Sequence, residues 1–413
     1  MSGFTYPTIN SDTYVPLLFP DNKCILVEGN TADTSLDTSD FSYDGKTYRV
    51  IGIGNNAFYG NTNLTRVLMP NVTSIGTNGF HECTGLSSVI MPNVQNIHGD
   101  AFNGCYNLSS VIMPHVKTID YNAFFKCSGL SNVIIPHVQN IDNSAFAECT
   151  SLSSITMTHV QNIGITAFGG CSGLSNVIMP HVQNIGTYGF YQCTNLSSIT
   201  MPCVKSIDIG AFSECIALSN VIMPHVENIG TYGFYQCNNL SSITMPCVKS
   251  IGIGAFSECV ALTSAIISHV QSIGAFAFNG CNLSCMTIPE TVKYIGDGAF
   301  SDTTIKTLYF FAEHNINVGN NAFDNIYNTG DNYQISTTIT HIYIKDIRKR
   351  YEYANLLSLP PELFYQYEDQ YNFIKTVLPI SGAFALVAGT HLIDKYISNE
   401  KHPKKTKKYR INS

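Results

Sequence analysis

Residues 86–107, LSSVIMPNVQNIHGDAFNGCYN, decide how this chain folds. Leu86, Val89, Met91, Val94, Ile97, Ala101, Phe102 and Cys105 form its interior set. The run Ser88–Met91 turns Ser88 and Ile90 outward and Val89 and Met91 inward, the period-two signature of a short strand. Pro92 lacks the amide hydrogen that a continuing ladder needs, so the chain turns there before a second short extended piece at 94–97. A turn carrying Ala101 and Phe102 completes the unit.

The same phase recurs along most of the sequence. Phenylalanines stand at 58, 80, 102, 124, 146, 168, 190, 212, 234, 256, 278 and 300, each 22 residues after the last, and Phe323 follows one residue late. Cysteines stand three residues after the phenylalanine at 83, 105, 127, 149, 171, 193, 215, 237, 259 and 281, where they read as small hydrophobes of the core. A fixed period of this length is the mark of a solenoid. One coil cannot bury its own apolar side, so neighbours close the core and both ends need caps. At the strand spacing of roughly 4.8 Å, about twelve coils make a rod or arc on the order of 60 Å long.

These units resemble the BspA-like branch of the leucine-rich repeat family, whose pattern runs Leu-x-x-Ile-x-Ile-Pro and then Val-x-x-Ile-Gly-x-x-Ala-Phe-x-x-Cys. The resemblance covers about residues 47–323, and YDGKTYRVIGIGNNAFYGNTNL (43–64) is similar to that family's usual opening. Most units here have one residue between the proline and the valine where the family commonly has two; IPETVKYIGDGAF (288–300) has the common form. The expected fold is a mainly β repeat solenoid, an arc or rod of short parallel strands with a small α-helical C-terminal cap. The expected organisation is an N-terminal cap over 1–46, about twelve to thirteen repeats over 47–325, a capping strand and helices over 326–400, and a basic tail over 401–413. The resemblance implies surface proteins and adhesins that bind host or matrix proteins.

Duplication is visible directly. Residues 175–218 and 219–262 differ only at Gln183/Glu227, Thr194/Asn238, Asp208/Gly252 and Ile216/Val260, so the copied unit was two coils. This bears on the position after the turn proline, which holds His115, His137, His159, His181, Cys203, His225, Cys247 and His269. Stacked at the strand spacing, such side chains could share a metal, and a metal-binding ladder is one alternative. The other is a polar side chain covering a corner and spread by duplication; acidic partners to orient metal-bound imidazoles are scarce beside it. No resident metal and no cofactor are expected.

The outward strand positions form two columns. Ser88, Ser110, Asn132, Ser154, Asn176, Ser198, Asn220 and Ser242 make one; Ile90, Ile112, Ile134, Thr156, Ile178, Thr200, Ile222 and Thr244 make the other. An exposed Ile/Thr stripe beside a Ser/Asn stripe is a candidate surface for a protein partner. It is equally what β propensity alone would select. The sequence holds no Gly-x-x-x-x-Gly-Lys, Gly-x-Ser-x-Gly or His-Glu-x-x-His, and the glycines of GIGNNAFYG (52–60) sit in the repeat's own phase. The expected function is therefore a non-enzymatic interaction module.

Charge divides the chain. Its 413 residues carry a net charge of -7, which gives no field of the kind a nucleic-acid partner requires. Residues 1–340 hold 10 Lys and Arg against 22 Asp and Glu, while 341–413 hold 12 against 7. The start, MSGFTYPTINSDTYVPLLFP, has neither the basic nor the apolar region of a secretory signal, which favours a cytoplasmic location over the cell surface. Six Asn-x-Ser/Thr triplets, at Asn63, Asn71, Asn107, Asn195, Asn239 and Asn282, would matter only in a secretory route. Near the end, VLPISGAFALVAGTHLI (377–393) precedes KHPKKTKKYR (401–410), so residues 376–410 read either as a membrane anchor with a polybasic flank or as a buried capping helix with a solvated tail.

Overall fold

Each coil opens with a strand that the proline ends. The computed structural model describes residues 15–28, 34–37, 40–313, 315–328 and 333–367. Within it, three-residue strands recur every 22 residues from Arg66–Leu68 through Ser88–Ile90 to Ser264–Ile266. A two-residue strand follows in each coil, from Ser74–Ile75 and Asn96–Ile97 to Asn317–Val318. Pairing is parallel and the register follows the sequence period, with Ile97 opposite Ile119 and Val89 opposite Val111.

The two sides of the coil differ in continuity. The two-residue strands join the N-terminal strands in one sixteen-stranded sheet. The three-residue strands form an unbroken run only from Ser35–Asp37 to Asn132–Ile134, then separate into pairs: Ser154–Thr156 with Asn176–Ile178, Ser198–Thr200 with Asn220–Ile222, and Ser242–Thr244 with Ser264–Ile266. The regular sheet face expected from the period is thus interrupted every second coil. Three of the breaks fall where an Asn-Val-Ile strand precedes a Ser-Ile-Thr strand, and a fourth separates Ser264–Ile266 from Cys285–Ile288. Val133 is half-buried at the first of them, whereas Val89 and Val111 in the unbroken run are fully buried.

The core is one continuous cluster from end to end. Its axis is the phenylalanine column, in which rings from Phe58 to Phe323 stack nearly parallel with neighbouring centroids 5.0–5.4 Å apart. Full burial of each ring is worth about 1.5–3 kcal/mol, so this column alone is a major source of the solenoid's stability.

Both ends depart from the repeat. Val15–Phe19 and Lys23–Glu28 form an antiparallel hairpin whose second strand lies parallel to Lys46–Ile53. Lys46–Ile53 also pairs antiparallel with Asp40–Tyr43 before it meets the first short strand of the array. At the other end, Cys285–Ile288, Thr307–Phe310, His341–Ile344 and Phe364–Gln366 make a four-stranded sheet. A short helix, Arg350–Leu357, follows a single turn capped by the Asp346 carboxylate and buries Tyr353, Ala354 and Leu357. In the segment 359–367, Pro361–Leu363 make a single turn and Phe364–Gln366 join the open edge of His341–Ile344; the tyrosine-rich continuation expected to be helical, 368–375, lies outside the described residues. Aromatic residues favour a pleated edge, and Tyr365 meets His341 and Tyr343 there at 5.3 and 5.9 Å. The apolar segment 377–393 and the basic tail 401–413 lie outside the described residues. Among the described residues no helix is long and apolar enough to cross a membrane.

Candidate functional site

The outward strand columns occupy the face built by the three-residue strands. Asn132, Ser154, Asn176, Ser198, Asn220 and Ser242 are exposed, while Ser88 and Ser110 are half-buried. In the second column Ile134, Ile178 and Ile222 are 43, 46 and 47% exposed, and Thr156, Thr200 and Thr244 between and beyond them are exposed as well. Ile90 and Ile112 are only half-buried in contrast to this outward reading. Their neighbours explain it: Ile90 stands between Leu68 and Ile112, and Ile112 between Ile90 and Ile134, whereas Ile178 is paired with Thr156 on one side and has no strand partner on the other among the described residues.

The histidine column answers to hydrogen bonding. The His115 Nδ1 lies 2.6 Å from the carbonyl oxygen of Pro92 in the preceding coil, His159 Nδ1 lies 3.2 Å from that of Pro136, and His269 Nδ1 lies 2.6 Å from that of Pro246. A carbonyl can only accept, so Nδ1 carries the proton and donates. Asn93 makes the same bond with its Nδ2, 2.7 Å from the Pro70 oxygen. The position therefore suits a side chain with a nitrogen donor at δ, which Asn and His share. A proline supplies the carbonyl in most coils, Thr158 and Ser268 being the exceptions.

A metal ladder finds less support in this geometry. His137 and His159 lie with ring centroids 5.3 Å apart and tilted by 51°, but a column supplies only one neighbour above and one below. At its N-terminal end the groove lined by His115 and His137 also carries Lys23, Arg49 and Lys117, cations that would oppose a divalent ion. Among the described residues no three His, Cys, Asp or Glu side chains are grouped to hold a metal. Replacing His269 by Ala should lower stability by about 0.5–1 kcal/mol in a denaturant titration. His269→Asn should lose much less, and equal losses for the two variants would contradict the δ-donor reading.

The ten-cysteine column is buried throughout. Each thiol donates to the carbonyl of the phenylalanine 25 residues earlier, as in Cys83 to Phe58 at 3.0 Å and Cys215 to Phe190 at 3.1 Å. The thiol thereby partners a carbonyl next to the aromatic stack. Burial pushes Cys171 and Cys215 up to about 12, the opposite of what a reactive thiolate needs. Cys203 and Cys247, which stand in the histidine column, are exposed.

A model of the BspA type leucine rich repeat region matches the sequence in six copies, over residues 51–175, 139–263 and 249–347. The chain belongs to this family. BspA-type arrays are leucine-rich repeat proteins, which serve in general as non-enzymatic scaffolds with protein partners. Among solved structures the chain is similar to a leucine-rich repeat protein from Bacteroides ovatus, with 21% identity over 87% of this chain and 99% of that one and a TM-score of 0.52. It is also similar to a leucine rich cell surface protein from Faecalibacterium prausnitzii, at 23% identity over 90% and 97% of the two chains with a TM-score of 0.46. At these identities the likeness concerns the fold. No curated protein matches the chain.

The BspA-type coil has one further feature that the sequence reading missed. Two residues before and two after each buried phenylalanine the backbone is left-handed in most coils, as at Asn78 and Glu82 or Tyr188 and Gln192. Asn, Asp and Gly at many of these positions are the available signal. Tyr188, Tyr232 and Phe276 obscure it, since bulky residues rarely adopt that conformation.

Proposed function

We propose that the array is a non-enzymatic interaction module that holds a protein partner on the face formed by its three-residue strands. The observation that carries this reading is the row of exposed isoleucines, Ile134, Ile178 and Ile222, recurring every second coil and set among exposed Ser, Asn and Thr. Apolar side chains at fixed intervals with hydrogen-bonding neighbours give an interface both its buried anchors and its polar rim. The rigid core beneath holds them at constant spacing, so little ordering is needed on binding. Family membership supports the same reading, because stacked repeats create extended binding surfaces.

The test is a charge substitution on the face. Ile178→Glu together with Ile222→Glu should abolish cross-linking to the partner that the unaltered chain captures, while thermal melting stays within a few degrees, because both side chains are exposed. A captured partner that still cross-links to this variant would move the interface elsewhere.

A further inference from the structure

Beside the aromatic axis, away from the strand face, two columns alternate ring and small residue. Two positions before the buried phenylalanine stand Tyr188, Gly210, Tyr232, Gly254, Phe276 and Gly298, all with φ between 55 and 59°. One position after it stand Tyr191, Ser213, Tyr235, Ser257 and Asn279. The glycines make room for the rings: a Cβ on Gly210 would lie 2.3 Å from Tyr188 Cε1, and one on Gly254 would lie 2.5 Å from Tyr232 Cε1. Each ring therefore rests on the next coil, yet Tyr188, Tyr232 and Phe276 remain 39, 44 and 47% exposed. Three large aromatic residues are thus held in a backbone conformation that disfavours them, with their rings at the surface.

The rings wall a groove of about 710 Å³. Tyr188 meets Tyr191 edge to face at 5.4 Å and 67°, and Tyr232 meets Tyr235 in the same geometry one duplicated unit later. Between these pairs the floor is Ser213 and the wall is Glu214, whose carboxylate accepts from the Tyr191 hydroxyl at 3.1 Å and from Gln192 Nε2 at 2.9 Å. Ser257 and Glu258 line the next recess at the equivalent positions, and no Lys, Arg or His is among the described lining residues.

We infer that this groove binds a basic, proline-rich polypeptide in the polyproline II conformation. Buried phenylalanine rings of successive coils here are 5.2–5.3 Å apart, so ring pairs two coils apart recur at about 10.5 Å, within about 1.2 Å of the roughly 9.3 Å that three residues of polyproline II span. Two successive turns of such a ligand meet the two tyrosine pairs. Aromatic-lined grooves take this conformation because it is already extended and loses little entropy on docking. One carboxylate in each recess complements a Lys or Arg at every third residue, with the ring faces adding cation–π attraction. A neutral glycan could use the rings but would gain nothing from the two carboxylates' charge. This surface is separate from the strand face, so either reading can fail alone.

The test is fluorescence anisotropy of the full chain with a labelled peptide of repeated Arg-Pro-Pro triplets, beside a peptide of equal charge and length with Gly-Ser in place of Pro-Pro. Saturable binding of the proline peptide is expected, weakened about tenfold by Tyr232→Ala and scarcely present for the Gly-Ser peptide. Glu214→Gln with Glu258→Gln should weaken the arginine peptide about tenfold and leave an uncharged proline peptide unaffected, a contrast that holds even if the tyrosine variant folds poorly. Equal binding of the two charged peptides, no binding of either, or binding of a soluble β-glucan in their place would each overturn the proposal.

Discussion

Raising the pH from about 9 towards 12 should unfold this solenoid far more steeply than its surface charge would cause. Burial pushes the thiols of Cys83, Cys127, Cys149, Cys171, Cys193, Cys215, Cys237 and Cys281 above their usual value near 9, Cys171 and Cys215 to about 12. Below pH 9 folded and unfolded chains both carry protonated thiols, and these groups leave stability unchanged. Between that point and the raised values the unfolded chain releases protons that the folded chain retains, so stability falls as pH rises. Each thiol costs about 1.4 kcal/mol per pH unit in this window. All eight act in the same direction, so their combined slope is several times that of one thiol. Denaturant titrations under reducing conditions at stepped pH measure the slope. Changing Cys171, Cys193 and Cys215 to Val should reduce it by roughly a third, since three of eight linked groups are gone. A slope that ignores those substitutions would assign the alkaline loss to general charge repulsion.

That prediction depends on residues whose burial is legible in the sequence. A cysteine three places after every phenylalanine can be assigned to the interior because period and hydrophobicity agree there. The proline stop and the inward Val and Met positions are legible for the same reason: each is a property of one coil. What stayed hidden is the relation between coils. The bond from His115 to Pro92 needs the path of the corner, and a sequence shows only that a polar residue recurs. The half-burial of Ile90 depends on Leu68 and Ile112 above and below it. Tyr188 at positive φ runs against propensity, and only the glycine of the following coil makes its place readable. The candidate face was legible as positions, but its interruption every second coil was not.

Those interruptions bear on a second expected result: Phe212→Ala should cost about 3–5 kcal/mol and should split a single unfolding transition into two. Phe212 is fully buried and stacks on Phe190 at 5.3 Å and on Phe234 at 5.2 Å. The strand Ser198–Thr200 of its coil pairs with Asn220–Ile222 but not with Asn176–Ile178 before it. Across that earlier junction the coils are therefore joined by the Phe190–Phe212 stack, the rest of the core, the two-residue strands Asn184–Ile185 and Ser206–Ile207, and backbone bonds of the phenylalanine turn such as Phe190 N–H to Ala211 O at 2.8 Å. In an array whose cooperativity comes from nearest-neighbour terms, removing the aromatic contact at a weakened junction uncouples the halves. Phe102→Ala deletes a ring of the same size, but the stacks it shares with Phe80 and Phe124 both cross intact strand pairs, so it should destabilise comparably while leaving a single transition. A double-mutant cycle separates contact from volume. Phe190→Ala with Phe212→Ala should depart from additivity by about 0.5–1.5 kcal/mol, whereas Phe80→Ala with Phe278→Ala should add to within about 0.5 kcal/mol. One sharp transition in Phe212→Ala would mean that the backbone bonds of the two-residue sheet and of the phenylalanine turns carry the coupling. The aromatic stack would then contribute volume to the core and nothing to its cooperativity.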